Sequence, residues 1–318
     1  MARIGGRRVT ALREALADYL AVRRALGYKL ERAEKLIGQF LDYLDERDTD
    51  TVTIEHALGW ATEPSSADPW WWALRLNAVR PFATYLHTRD ARNEVPPKGL
   101  IAYQQPRATP YLYSQTEIGA LMEAAAHRPH PMSAATYPAL IGTLAVTGMR
   151  IGEALALEVQ DLDSDQAILT VRDGKFGKSR LLPLHPTGLH ALLDYQRTRD
   201  RLLPVRACDR LFVSSVGTPL DYSWVRRAFR AITQDAGIAV RSASCRPRIH
   251  DLRHSFAVAT LLDAYRRGDD VQALLPRLST YMGHTNPKNT YWYLSAAPEL
   301  LALAGERLEH HLTIGDAA

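Results

Sequence analysis

The feature that constrains this chain most is a break in its pattern. Helical periodicity runs on both sides of it, and between them Pro96, Pro97, Pro106 and Pro110 punctuate a stretch that has none. Proline removes a backbone donor and fixes φ, so such a stretch reads as an extended linker rather than as part of a core. The break divides the 318 residues into a first domain over 1–106, linker included, and a second over 107–318. Each is long enough to bury a core of its own.

Four helices are expected before the break. Leu12, Leu16, Tyr19 and Leu20 share one helical face, with Gly27 as a stop; Ala33, Ile37, Phe40, Leu41 and Leu44 mark a second face. A weaker third covers Ile54 to Trp60, and a fourth runs from about Trp70 to His87 with Leu74, Val79, Phe82 and Leu86 on one side. Trp70, Trp71 and Trp72 suit a domain core better than base stacking.

The second domain opens on a capping-box pattern, Ser114-Gln115-Thr116-Glu117, followed by Ile118, Leu121, Met122 and Ala125 at helical spacing. A helix follows over about 134–146, and another is expected to begin near Thr147-Gly148 and run through Ala154 and Leu157. Two short β-like runs, 167–171 and 180–184, flank a turn containing Gly174 and Gly177, which suits a hairpin. Beyond it the chain reads as mainly helical: Val225, Phe229 and Ile232 precede a stop at Gly237, and Leu301, Ala304, Leu308 and Leu312 mark a last helix. The fold class is mainly α with a small antiparallel β-sheet.

Composition narrows the function without fixing it. Lys and Arg number 39 against 35 Asp and Glu, a net charge of +4, which permits nucleic-acid binding but does not require it. Cys208 and Cys245 make neither a disulfide framework nor a zinc site and suit a reducing cytoplasm, the expected location. Arg3, Arg7 and Arg8 have no apolar core behind them, so no secretory leader is expected, and no run of about 18 apolar residues suggests a membrane span.

Two short motifs mislead. Gly174-Lys-Phe-Gly177-Lys178-Ser179 ends like a phosphate-binding loop, but Arg172 stands where that loop needs its first glycine, and the run joins two strands. His250-Asp-Leu-Arg-His254 places two histidines one turn apart as in a zinc protease, yet Asp251 replaces the glutamate that would act as base.

What remains is dispersed. Thr147-Gly-Met-Arg150-Ile-Gly-Glu153 puts an arginine at a helix start, and Lys175 lies in the turn between the β-like runs. His250-Asp-Leu-Arg253-His-Ser-Phe-Ala follows, then Met282-Gly-His284, then Tyr293. In this order, over roughly residues 110–310, the segments resemble the catalytic domain of the tyrosine recombinase (phage integrase-like) family, with the lambda-integrase-like and Xer-like enzymes among its members. The resemblance implies an α+β catalytic domain preceded by a four-helix, SAM-like core-binding domain.

It also implies roles. Arg150 and Arg253 match the family's two arginines, Lys175 its hairpin lysine, His250 and His284 its histidines, and Tyr293 the nucleophile. Tyr291 and Tyr293 both lie in Thr-Tyr-Trp-Tyr-Leu, and spacing from His284 favours Tyr293. The residue types fit the chemistry. A phosphodiester under attack gathers charge on its non-bridging oxygens, and preorganised guanidinium forks aimed there stabilise it. A phenol ionises near pH 10 and needs help to attack. His250 as proton acceptor and His284 as phosphate hydrogen-bond donor are the roles the family implies. Lys175 suits the general acid for the leaving 5′ hydroxyl, with Lys178 as its fallback. Glu153, one turn from Arg150, suits an orienting partner. The expected product is a 3′-phosphotyrosine, with no cofactor and no metal required.

Candidate DNA contacts are Tyr28 and Lys29 after a helix stop, Arg75, Asn77 and Arg80 along a helix, and Arg226, Arg227 and Arg230 opposite an apolar face. The two domains suggest a clamp on duplex DNA. The resemblance implies partners of double-stranded DNA with inverted-repeat core sites, a dimer on each site and a tetramer in synapsis, with the last helix docking in cis or trans, and it allows accessory proteins. The leading function is site-specific recombination of the integrase or transposase type. A type IB topoisomerase-like relaxing enzyme is the related alternative, and a catalytically silent DNA-binding protein of the same fold is the alternative that the complete set of six residues argues against.

Overall fold

In the computed structural model, described over residues 5–103, 109–172, 179–205 and 207–283, the chain divides into two units, Met1–Pro106 and Arg107–Ala318. The first holds α1 (Gly5–Ala25), α2 (Glu31–Asp45), α3 (Ile54–Thr62) and α4 (Pro69–Arg89). Their starts follow from side chains that accept otherwise unpaired N–H groups. Thr53 accepts from His56 N–H and Asp68 from Trp70 N–H, while Pro69 sits at a first helical position where its missing donor costs nothing. The stripe Leu36, Ile37, Phe40, Leu41 and Leu44 shares one core with Trp60, Val79 and Phe82. Of the tryptophans, Trp71 packs against this core and Trp72 Nε1 donates to the Pro64 carbonyl at 2.9 Å.

Two of the expected DNA contacts have partners within this unit. Arg75 is buried; its Nη2 donates to the Trp60 carbonyl at 2.7 Å and its guanidinium lies 4.0 Å over the Trp60 ring. It falls on the same face of α4 as Val79 and Phe82, so its aliphatic stem packs while its head finds a carbonyl and an indole. Arg80 donates to the carbonyls of Pro96 and Pro97, at 2.7 and 2.9 Å, and to the Asn77 side chain. It therefore holds the chain that leaves α4.

The second unit holds α5 (Gln115–Ala126), α6 (Pro131–Thr147), α7 (Ile151–Ala156), a single 3-10 turn (Val159–Asp161), β1 (Leu162–Asp163), β2 (Ile168–Val171), β3 (Arg180–Pro183), α8 (Pro186–Leu202), α9 (Tyr222–Asp235), α10 (Asp251–Arg267) and α11 (Val271–Tyr281). The strands form one antiparallel sheet in the order β1-β2-β3, with Leu169 opposite Leu182 and Val171 opposite Arg180. The short β1 has too few residues to show a period in sequence. The capping box at α5 is complete: Ser114 Oγ accepts from Glu117 N–H, and the Glu117 carboxylate accepts from Ser114 N–H.

The helix expected to begin near Thr147-Gly148 starts at Ile151 instead. Thr147 ends α6, and Gly148, with φ near 59°, takes the left-handed conformation that closes a helix and that glycine adopts without a Cβ penalty. The core joins Leu121, Leu140, Ile141 and Leu144 to Leu169, Leu182, Phe212, Val225, Phe229 and Ile232. A second cluster packs α10 on α11 through Leu261, Ala264, Val271 and Leu275. Among the described residues no helix is long and apolar enough to cross a membrane.

Candidate active site

Three chain segments meet where α6 ends. The turn at Gly148 sends Met149 and Arg150 into an extended path before α7, which frees the Arg150 guanidinium to leave the helix end. Its Nη1 donates to Glu153 Oε1 at 2.8 Å and its Nη2 to the Gly283 carbonyl at 2.9 Å. Arg253, in the first turn of α10, is buried; its Nη1 donates to the Gly148 carbonyl at 2.7 Å and its Nη2 to the Met282 carbonyl at 2.6 Å. Two guanidiniums that are 103 positions apart in sequence thus grip neighbouring carbonyls at the end of α11.

Glycine is required on both sides of this junction. A Cβ on Gly148 would come within 2.3 Å of Phe256 Cδ1. On Gly283, with φ near 66°, a Cβ would lie 3.1 Å from Arg180 Nη1 and 3.5 Å from Arg150 Nη1.

Glu153 links the site to the sheet. Its carboxylate accepts from Arg150 N–H and from both Nη atoms of Arg180, at 2.8, 3.1 and 2.7 Å, in addition to Arg150 Nη1. Burial pushes this carboxyl up, but the Arg180 hydrogen bonds, the Arg150 N–H and the two positive charges outweigh it and hold the group at about 2. Glu153 therefore stays ionised, in the orienting role read from its spacing.

His250 immediately precedes α10, with its ring edge-on to His254 at 5.3 Å between centroids. The surrounding protein lowers its pKa, and the charges of Arg253, Arg150 and Arg248 lower it further. The residue is at the same time exposed to solvent. The imidazole is thus biased toward the neutral form that a proton acceptor needs. His254 has a structural setting, 4.0 Å from the fully buried Asp251, which takes the Arg248 fork at 3.0 and 2.9 Å. Burial raises the Asp251 pKa, against the opposing pull of Arg248.

An open groove of about 610 Å³ starts at His250 and runs along α9, lined by Arg226, Arg230, Arg246 and Arg248. Two of its cations were among the expected contacts. Arg227 is exposed too but lies 4.7 Å over the Trp224 ring. In the first unit Lys29, Arg32 and Asn77 line a second groove, and Tyr28 is exposed with Arg23 at 4.1 Å over its ring.

The structure brings Arg150, His250 and Arg253 together. Lys175, its fallback Lys178, His284, Tyr291, Tyr293 and the expected last helix lie outside the described residues. Sequence reading missed Arg180, Arg246 and Arg248. The first opens β3, and its guanidinium turns to Glu153 and the Tyr281 carbonyl. The other two lie within four residues of His250, a local run of charge that was legible but unweighted. Among the described residues no group of three His, Cys, Asp or Glu is placed to hold a metal ion.

Comparison with known proteins agrees with this geometry. The family model described as the phage integrase family matches residues 112–299. A protein of Sinorhizobium fredii described as an integrase/recombinase, y4rB, is 42% identical over 307 residues, covering 95% of this chain and 98% of that one. The crystal structure of XerA recombinase matches with a TM-score of 0.51 at 25% identity, covering 95% of this chain and 98% of that chain. The Tn1549 transposon integrase, solved in complex with transposon right end DNA, shares the fold with a TM-score of 0.63 at 16% identity, covering 94% and 98%. The chain belongs to the phage integrase family, the tyrosine recombinases, enzymes that break and rejoin DNA strands.

Proposed function

We propose that this site-specific recombinase cuts DNA with the phenolic oxygen of Tyr293 and acts on the ends or attachment sites of a mobile element. The observation that carries the reading is the convergence of Arg150 and Arg253 on the Met282–Gly283 carbonyls, beside a histidine biased toward its neutral form. Two forks held on adjacent carbonyls suit the non-bridging oxygens of one phosphodiester.

In the proposed reaction the Tyr293 oxygen bonds to phosphorus and the bond to the 5′ oxygen breaks. His250 takes the phenolic proton and Lys175 gives one to the departing 5′ hydroxyl. Arg150, Arg253 and His284 hold the charge that builds on the phosphate. The bond energy stays in the 3′-phosphotyrosine, so attack by a 5′ hydroxyl from another strand reverses the step with no nucleotide consumed. The helical first unit serves as a DNA-binding domain, and the basic groove along α9 tracks the DNA backbone in the catalytic unit. Double-stranded DNA with inverted core sites, two protomers per site and four in synapsis are the assembly this reading requires, and the segment after Tyr293 couples neighbouring protomers.

The test uses the full chain and its Tyr293→Phe variant. DNA protected by the variant identifies the site; a nicked suicide substrate carrying that site then traps the covalent complex. An adduct with the unaltered protein and none with Tyr293→Phe is expected. An adduct that persists in Tyr293→Phe moves the nucleophile elsewhere, with Tyr291 first in line. Relaxation of any supercoiled plasmid without sequence preference would replace recombination by a topoisomerase activity.

A further inference from the structure

Arg180 is a cation at the junction that the reaction above leaves without a task. It opens β3 opposite Val171 of β2, two positions after the sequence segment 173–178 that contains Lys175. Its three guanidinium nitrogens face two different targets. Nη1 and Nη2 meet Glu153 as a fork, at 3.1 and 2.7 Å, and Nε donates to the Tyr281 carbonyl at 2.9 Å. Its side chain is only 14% exposed, and the guanidinium lies directly under Gly283, where even a Cβ would press on it at 3.1 Å. All three nitrogens of this guanidinium are thus engaged by acceptors of the protein itself.

What it does reach is informative. Glu153 is the partner that fixes the Arg150 fork, and the carbonyls of 281, 282 and 283 are held in turn by Arg180, Arg253 and Arg150. Residue 283 leads straight into His284 and, nine positions on, Tyr293. A bidentate arginine–carboxylate pair is planar and leaves little freedom to either partner. One negative charge shared by two guanidiniums also leaves the cluster net positive, so Arg150 is oriented without being neutralised.

We infer that Arg180 is a positioning residue for strand cleavage, tying the start of β3, the Arg150 fork and the end of α11 into one unit. It acts through Glu153 and the α11 carbonyls rather than on the DNA. The inference rests on the assignment of Arg150 and Tyr293 above. It predicts a specific split: the rate at saturating DNA depends on Arg180, and affinity for DNA does not.

The experiment compares the full chain with Arg180→Ala and Arg180→Lys by single-turnover adduct formation on the suicide substrate. DNA affinity is measured in the Tyr293→Phe background, and thermal midpoints are recorded for every variant. Losing an outer-layer orienting partner lowers activity by roughly 10–100-fold, so Arg180→Ala is expected to cleave that much more slowly at saturation, with its dissociation constant within about 3-fold of the parent. Arg180→Lys keeps the charge but not the fork and is expected to recover part of the rate. Should Arg180→Ala fail to fold, the lysine variant carries the test, with a loss of about 10-fold at saturation expected. A folded variant that cleaves at the full rate overturns the inference, as does a loss confined to DNA affinity. If the unaltered protein itself forms no adduct, the functional reading has failed; if it does and Arg180 is dispensable, only this inference has.

Discussion

Replacing Gly148 by alanine should damage stability and cleavage together, and the structure sets the size of each effect. The residue sits at φ near 59°, where an L-side chain costs about 1–2 kcal/mol. The new Cβ would also lie 2.3, 2.9 and 3.0 Å from three ring carbons of Phe256, closer than real contacts allow. Phe256 cannot swing away freely, because its ring stacks on Tyr281 at 5.7 Å. Overpacking of this kind costs about 1–3 kcal/mol, giving roughly 2–5 kcal/mol in all. For a unit of this size that is a fall in melting temperature of roughly 5–20 °C. The Gly148 carbonyl is also an acceptor for Arg253, so any shift that relieves the clash moves that guanidinium. Single-turnover cleavage at saturating DNA should fall at least ~10-fold, since misplacing one transition-state donor is costly. Chemical denaturation and suicide-substrate trapping measure the two effects. A second variant separates the causes: Phe256→Leu in the alanine background should recover the clash component and leave the backbone component, read as a coupling in a double-mutant cycle. Gly148→Ala protein that unfolds within about 0.5 kcal/mol of the parent and cleaves at the parent rate would refute the reasoning, because that is the spread expected of an uncoupled surface change.

Further outcomes follow from the same geometry. Arg75→Ala should destabilise the helical unit by roughly 2–4 kcal/mol through the lost carbonyl bond and ring contact, while the salt dependence of DNA affinity stays put; a shallower salt slope with unchanged stability would restore Arg75 as a phosphate contact. Arg226→Ala and Arg230→Ala should do the reverse, each reducing the slope of log affinity against log salt by about 1 with little change in unfolding. Glu153 is held at about 2 against an ordinary 4.5, so the stability it contributes is fully present above pH 4.5 and is lost as pH falls toward 2. That window is worth on the order of 3 kcal/mol in urea unfolding at a series of pH values, and an acid limb that is the same in Glu153→Gln would contradict it. The lowered pKa of His250 places the acid limb of single-turnover cleavage below the ordinary imidazole value of 6.5, and Arg248→Ala should move it upward; a limb above 6.5 in the parent would argue against His250 as the acceptor.

Much of the helical architecture was legible because apolar periodicity and capping chemistry agree. The stripe from Leu36 to Leu44 and the Ser114 capping box lie where their spacing puts them. The start of α7 was misplaced because Gly148 was read as opening a helix when its left-handed backbone closes the preceding one. The burial of Arg75 was not legible, because a cation on an apolar face looks, in sequence, like a break in that face. Only the fold reveals the Trp60 carbonyl and ring that receive it. Arg150, His250 and Arg253 were found through the order of short motifs, not through any local pattern. The role of Arg180 was invisible for the same reason: it depends on a carboxylate 27 positions away and a carbonyl 101 positions away, distances no window reads.

The guanidiniums of Arg150, Arg180 and Arg253 lean largely on peptide oxygens, those of residues 148, 281, 282 and 283. An acceptor that belongs to the main chain survives every side-chain replacement at its own position; point changes there can displace it but never delete it. Tolerance in this corner of the protein is therefore governed by conformation more than by chemical identity. Selection or engineering that seeks to retune the enzyme will meet its sharpest limits at the two small residues that let the backbone turn, and wider freedom at their neighbours.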